Sequence, residues 1–130
     1  MDKMKDMALL AGRVLLALMF VSAGWSKIGG YTGTQGYMEA MGVPGALLPL
    51  VILLELGGGL AIALGLFTRT LSLLLAGFCV AAAVLFHYQP ADQMQMIMFM
   101  KNLSVAGGFL ALAAAGAGAF SLDNRLGKCW

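Results

Sequence analysis

Charged side chains are scarce in this chain. Asp, Glu, Lys and Arg make up 11% of its 130 residues, against about 25% in ordinary soluble domains. A soluble protein of this size exposes much surface for its volume, and eight basic and six acidic residues do not cover it. A water-soluble globule is therefore excluded. Intrinsic disorder is excluded by the converse observation, because 61% of the residues are hydrophobic. The net charge of +2 is too small and too scattered for a nucleic-acid surface. Histidine occurs once, as His87, so a bis-histidine haem site is excluded. Cysteine occurs twice. Cys79 lies inside an apolar run and Cys129 is next to last, so neither a CxxC dithiol nor a disulfide framework is present. No cluster of Cys, His and carboxylate has iron–sulfur or zinc spacing. The chain offers no covalent or metal-ligand hold for a cofactor, and any redox role has to borrow one.

What the sequence does have is long uncharged runs. Arg13 is the only charge between Met7 and Ser26, Glu55 the only one between Ala40 and Thr68, and neither 70–91 nor 102–122 carries any. About 20 mostly apolar residues are needed to cross a bilayer as a helix. The runs are apolar all round, as in lipid-facing or fully buried helices, and lipid offers no water to satisfy an unpaired backbone. The reading is an all-α bundle of four transmembrane helices in one domain, near 7–27, 47–67, 70–87 and 96–119, antiparallel and up-down. A signal peptide competes for the first run, because Lys3 and Lys5 precede it and Val21-Ser22-Ala23 resembles a cleavage site. Arg13 interrupts the would-be apolar region, so the first helix is expected to be retained.

Basic residues in short connections set the orientation. Lys3, Lys5, Arg69, Arg125 and Lys128 share one side of a four-span threading, which predicts that both termini are cytoplasmic. The link 66–70 then forms a tight turn. On the outer side, Thr34 is expected to cap a short interfacial helix near 35–41, and Pro44 and Pro49 bracket the entry to the second span. Trp25, Tyr31, Tyr37 and Tyr88 read as an outer aromatic belt, with Trp130 at the inner interface. Gly57, Ala61 and Gly65 recur every four residues, the spacing that brings transmembrane backbones together.

Two charges fall where lipid should be. No plausible shift of helix boundaries moves Glu55 into water, and an ionised carboxylate at that depth costs on the order of several kcal/mol unless paired. Arg13 is the expected partner, because a guanidinium from the first helix can reach a carboxylate on the second. That pair is either a purely architectural device fixing helix register or one wall of a functional site. Lys101 also has two open readings. It snorkels to the interface if the fourth helix starts at Asn102, and it points with Asn102 into the bundle if the helix starts near Gln95. In the second case Lys27, Glu55, His87, Lys101 and Asn102 outline an outward-opening polar pocket for an anionic or oxygen-bearing ligand. Met94, Met96, Met98 and Met100 alternate along the chain, which suits adaptable packing rather than a copper cage.

Several fragments, taken in order, carry a resemblance: Arg13-Val14-Leu15-Leu16, Gly24-Trp25-Ser26-Lys27-Ile28, Gly42-Val43-Pro44, Glu55-Leu56-Gly57-Gly58-Gly59, Gly65-Leu66-Phe67-Thr68-Arg69, the His87 turn, and Lys101-Asn102-Leu103 with Gly107-Gly108. With these the chain resembles the DoxX family of small four-helix bacterial membrane proteins over nearly its whole length. Within that family it is similar to the enterobacterial inner-membrane type. The resemblance implies an inner-membrane location and quinone-linked chemistry, since the related DoxD is a subunit of a thiosulfate:quinone oxidoreductase. On that reading a quinone enters from the bilayer, Lys, His or Asn hydrogen-bonds its carbonyls, and Glu55 or His87 relays protons. The chain is then a component of a membrane oxidoreductase, with a membrane or soluble redox partner subunit and with self-association open to it. The alternative is a non-enzymatic structural subunit or a small-solute carrier.

Overall fold

Four apolar runs give four long helices, and the residues at their ends explain where each stops. The computed structural model describes residues 3–127, and among these there is no strand. The spans are Lys3–Gly29, Gly45–Leu64, Thr68–His87 and Gln93–Ala115, each long and apolar enough to cross a membrane. The first is about 40 Å long, enough to span with some tilt. The second ends at Leu64 because Gly65 takes a left-handed conformation, φ +75°. The fourth begins at Gln93, where Asp92 accepts from the backbone N–H groups of Met94 and Gln95 at 3.0 and 3.3 Å. It ends at Ala115, four residues before the sequence reading places its end, because Gly116 and Gly118 both have positive φ.

The connection after the first span folds into a helix, Tyr31–Ala40, longer than expected. Thr34 does not cap it. Its Oγ1 donates back to the Gly30 carbonyl at 2.9 Å from inside the helix. After the fourth span the chain closes with a one-turn helix, Leu122–Arg125, capped by Ser121. Lys128, Cys129 and Trp130, which figure in the sequence reading, lie outside the described residues.

The spans pack as two antiparallel hairpins, first against second and third against fourth. Their core holds Ala17, Phe20, Ile62, Leu75, Cys79 and Phe109, with Phe20 edge-on to both Phe78 and Phe109 at ring separations of 6.3 and 5.4 Å. Large side chains such as Leu15, Leu53, Leu73 and Leu110 remain exposed, as a lipid-facing surface requires.

The close helix approach uses glycines other than the expected line. A Cβ on Gly24 would lie 2.9 Å from Leu56 N, and one on Gly59 would lie 3.3 Å from the Ala17 carbonyl. Gly57 meets only its own Leu53, and Gly65 is the helix stop. Gly57 closes a π-helical turn, Leu53–Gly57, and a Cβ there would meet no other span within 4 Å.

Candidate functional site

The third span carries a second π-helical turn, Ala83–His87, in its last five residues. The two π turns border one cavity. Deeper in the bundle, toward the end where residues 3 and 127 lie, the hairpins touch through Gly58 against Leu75 and Gly108 against Leu16. Between the π turns the hairpins leave a cavity of about 330 Å³, within the size range of small-molecule sites. Its walls come from all four spans. Phe20 and Phe78 lie at its floor, Met19, Val51, Ala82 and Met98 at its sides, and Thr34, Tyr37 and Met38 of the Tyr31–Ala40 helix at its roof.

The roof is tied down by specific contacts. Thr34, Tyr37 and Met38 share one helical face, and Met38 is buried. The Tyr37 hydroxyl donates to the Phe86 carbonyl at 3.2 Å, and the two rings stack at 5.6 Å. Phe86 lies in the π turn, where backbone carbonyls are released from regular helical bonding. Gln35 donates from Nε2 to the Gly45 carbonyl at 3.1 Å, fixing the roof to the start of the second span. Tyr37, Trp25 and Tyr88, all placed in the aromatic belt by the sequence, are exposed, and Tyr37 packs on Phe86 while Tyr88 lies 5.4 Å from the Phe99 ring.

Lys27, Glu55, His87, Lys101 and Asn102 all line this cavity. Lys101 and Asn102 do so because the fourth helix starts at Gln93, two turns before them. Lys27 Nζ lies 2.7 Å from Glu55 Oε1. This close ion pair engages the buried carboxylate. His87 Nδ1 and Gln95 Oε1 are 2.7 Å apart. Since an amide oxygen only accepts, Nδ1 is the donor in this contact, and Nε2 is the ring nitrogen left to a further partner. Gln95 was not among the expected site residues. Its position one helical turn before Met98 and two before Asn102, in a helix capped at Asp92, is the signal that places it. The Asn102 carboxamide is 8% exposed and makes no hydrogen bond among the described residues. Chemically, the cavity offers an apolar and aromatic sleeve, two ammonium groups, one carboxylate, a primary amide and an imidazole acceptor. Among the described residues no three metal-ligating side chains converge.

The expected Arg13–Glu55 pair does not form. Arg13 is fully buried, but it lies about two helical turns away, at the terminal end of the bundle. Its Nη1 donates to the Ile62 and Ala63 carbonyls at 3.3 and 3.1 Å, and its Nη2 to the Phe120 carbonyl. Carbonyls at the end of a helix have no intrahelical donor and carry partial negative charge, which is why a cation settles there. Asp123 supplies the opposing full charge. The Asp123 carboxylate also accepts from Phe67 N at 2.8 Å and Thr68 N at 2.9 Å, and its own N–H donates to the Gly65 carbonyl at 2.9 Å. Asp123 was missed because a carboxylate in a polar tail reads as solvated. Only its distance from the turn at 65–68 in the fold identifies it.

Known proteins agree with this architecture. The DoxX family profile matches residues 8–88, more than half of the chain. The inner membrane protein YqjF of Escherichia coli is 56% identical over 130 residues, covering all of both chains. The inner membrane protein YphA of the same organism is 38% identical over 128 residues, 93% of this chain and 91% of that one. A Bacillus subtilis protein named "Putative oxidoreductase CatD" is 30% identical over 84 residues, 65% of this chain and 63% of its own. No solved structure matches significantly. With a family match across most of the first three spans and full-length relatives in the inner membrane, this chain belongs to the DoxX family and is a multi-pass inner-membrane protein.

Proposed function

We propose that this protein is a quinone-linked component of the inner membrane and that the cavity between its hairpins receives a quinone headgroup. The observation that carries the reading is the convergence of five polar groups on one largely apolar cavity, in a chain whose remaining surface there faces lipid. A bound quinone supplies two-electron, two-proton chemistry that the side chains lack. The chain's own part is to bind and to move protons. Lys101 and Asn102 donate to a carbonyl oxygen, the aromatic floor and roof flank the ring, and Glu55 or His87 Nε2 accepts a proton at the opposite wall. The name of the Bacillus subtilis relative points the same way. A redox partner subunit would supply or accept the electrons.

A carrier is disfavoured by the floor. Phe20, Phe78 and Phe109 pack edge-on below the cavity, and Ile62, Leu75 and Leu112 fill the core beyond them, so no polar path runs to the Arg13 end. The test is lipid mass spectrometry on the purified protein together with binding of decylubiquinone in nanodiscs. Co-purified prenylquinone and a loss of about tenfold or more in affinity on Lys101→Ala or Asn102→Leu support the site, the size expected for hydrogen bonds to or from a charged group. Absence of quinone from the extract and unchanged binding in both variants refute it.

A further inference from the structure

The cavity's charges do not balance. Among the described residues Glu55 is the only carboxylate lining it, against the ammonium groups of Lys27 and Lys101. Glu55 is engaged by Lys27 at 2.7 Å. Among the described residues no carboxylate lies within ion-pair distance of Lys101. Among the described residues the remaining acids are placed elsewhere. Asp6 accepts from Ala119 N at the terminal end, Asp123 holds the turn at 67–68, and Asp92 caps the fourth span. Glu39 lies beside Gly45, outside the cavity lining. Whichever ammonium Glu55 serves, one positive charge is left over.

A second observation points to the same corner. Asn102, next to Lys101 in the chain, is more than nine-tenths buried, lines the cavity and makes no hydrogen bond among the described residues. Its amide atoms are not enclosed by protein, so their donors and acceptor remain available to an occupant of the cavity. Lys101 is exposed as well as lining the cavity, and an ammonium facing lipid is unfavourable until a counter-charge arrives. One occupant serves both: an oxygen anion that takes the Lys101 charge and accepts from the Asn102 amide.

We propose that Lys101 and Asn102 form an anion-receiving corner, and that the cavity prefers amphiphiles whose headgroup carries a single negative oxygen on an apolar body. An ionised hydroxyquinone and a fatty-acid carboxylate share this chemistry. The inference deepens the cavity reading of the preceding section and rests on it, but it does not depend on electron transfer. Charge is what the corner reads, so the neutral isostere of each anion binds more weakly.

The experiment uses the full chain in phosphatidylcholine nanodiscs at neutral pH and four probes. Dodecanoate is compared with dodecanol, and an alkyl hydroxynaphthoquinone with its methyl ether, by equilibrium binding. Each acidic probe is expected to bind about tenfold or more tightly than its neutral counterpart. Lys101→Gln brings the two members of each pair within about threefold of each other, whereas Lys101→Arg keeps the preference by keeping the charge. Retained helical circular dichroism shows that the variants fold. A preference confined to one pair identifies that source, aromatic or acyl, as the headgroup the corner accepts. No preference in either pair, or a preference that survives Lys101→Gln, overturns the inference. Decylubiquinone separates the two proposals. If it binds and the acidic preference is absent, the corner fails while the quinone site stands. If the acidic probes bind and decylubiquinone does not, the corner stands and the quinone site fails. If none of the probes binds, both fail.

Discussion

Removing the Asp123 carboxylate tests the idea that the terminal end of the bundle is locked by a single acid from the tail. Asp123→Ala deletes two hydrogen bonds to the turn N–H groups, at 2.8 and 2.9 Å, which act as an N-terminal cap for the third span. Loss of a cap costs about 0.5–2 kcal/mol. The same change strips the fully buried Arg13 of the charge that opposes it. Breaking a buried pair from one side costs about 3–5 kcal/mol, reduced here because Arg13 keeps its bonds to the Ile62, Ala63 and Phe120 carbonyls. Together a loss of about 3 kcal/mol is expected. The assay is reversible unfolding in mixed dodecyl sulfate micelles followed by circular dichroism, run as a double-mutant cycle with Arg13→Gln. The double variant should be less destabilised than the sum of the singles by about 1 kcal/mol or more, since the second change removes a group already stranded. A loss under about 0.5 kcal/mol for Asp123→Ala, or strict additivity, would refute the reasoning.

Three further substitutions separate packing from open space in the same assay. Gly65→Ala forces a side chain into a left-handed position and against Ser121 and the Arg13 guanidinium, so it should destabilise by more than about 1 kcal/mol. Gly24→Ala places a methyl 2.9 Å from the Leu56 backbone nitrogen and should cost about 1–3 kcal/mol, whereas Gly77→Ala, with nothing within 4 Å, should gain about 0.4–1 kcal/mol. Equal effects at the two sites would mean that the hairpin contact is misplaced. Tyr37→Phe keeps the stack on Phe86 and removes the 3.2 Å bond to its carbonyl. It should loosen the roof helix by about 1 kcal/mol, read as faster amide exchange across 31–40 with the four spans unchanged.

The four spans were legible because lipid imposes one rule on every residue of a crossing helix, and the uncharged runs report it directly. The grouping of Lys27, Glu55, His87, Lys101 and Asn102 followed from the same rule, as polar residues inside those runs have few places to go. The pairing within the group was not legible. Arg13 and Glu55 are the two most deeply placed charges by sequence, but burial alone does not choose between a carboxylate and a set of carbonyls at a helix end. The Gly57, Ala61, Gly65 line failed because a four-residue repeat of small residues does not say which face meets a neighbour: Gly24 and Gly59 make the close approaches, and Gly65 ends the helix. Asp123 was invisible because its partners lie in a turn more than fifty residues away in sequence.

Unsatisfied polar atoms occur at both ends of the bundle, and their surroundings distinguish them. Toward the terminal end, Arg13 Nε, Thr68 Oγ1 and Ser72 Oγ lack partners, but none of these residues lines the cavity, and Arg13 is already held by three carbonyls and one acid. The turn that Arg13 and Asp123 brace joins the two hairpins, so local loosening there would separate them. Around the cavity the open capacity belongs to groups that share it: the Asn102 amide, the Lys101 ammonium and the imidazole of His87. Both π turns border the cavity, and each adds a residue that regular packing would not need. A bundle selected for stability alone would shed the insertions and fill the gap with leucine. Retaining a braced base beside an open, polar and positively biased mouth is the arrangement a ligand site requires, because the base holds the walls in place while the mouth keeps its hydrogen-bonding groups unspent.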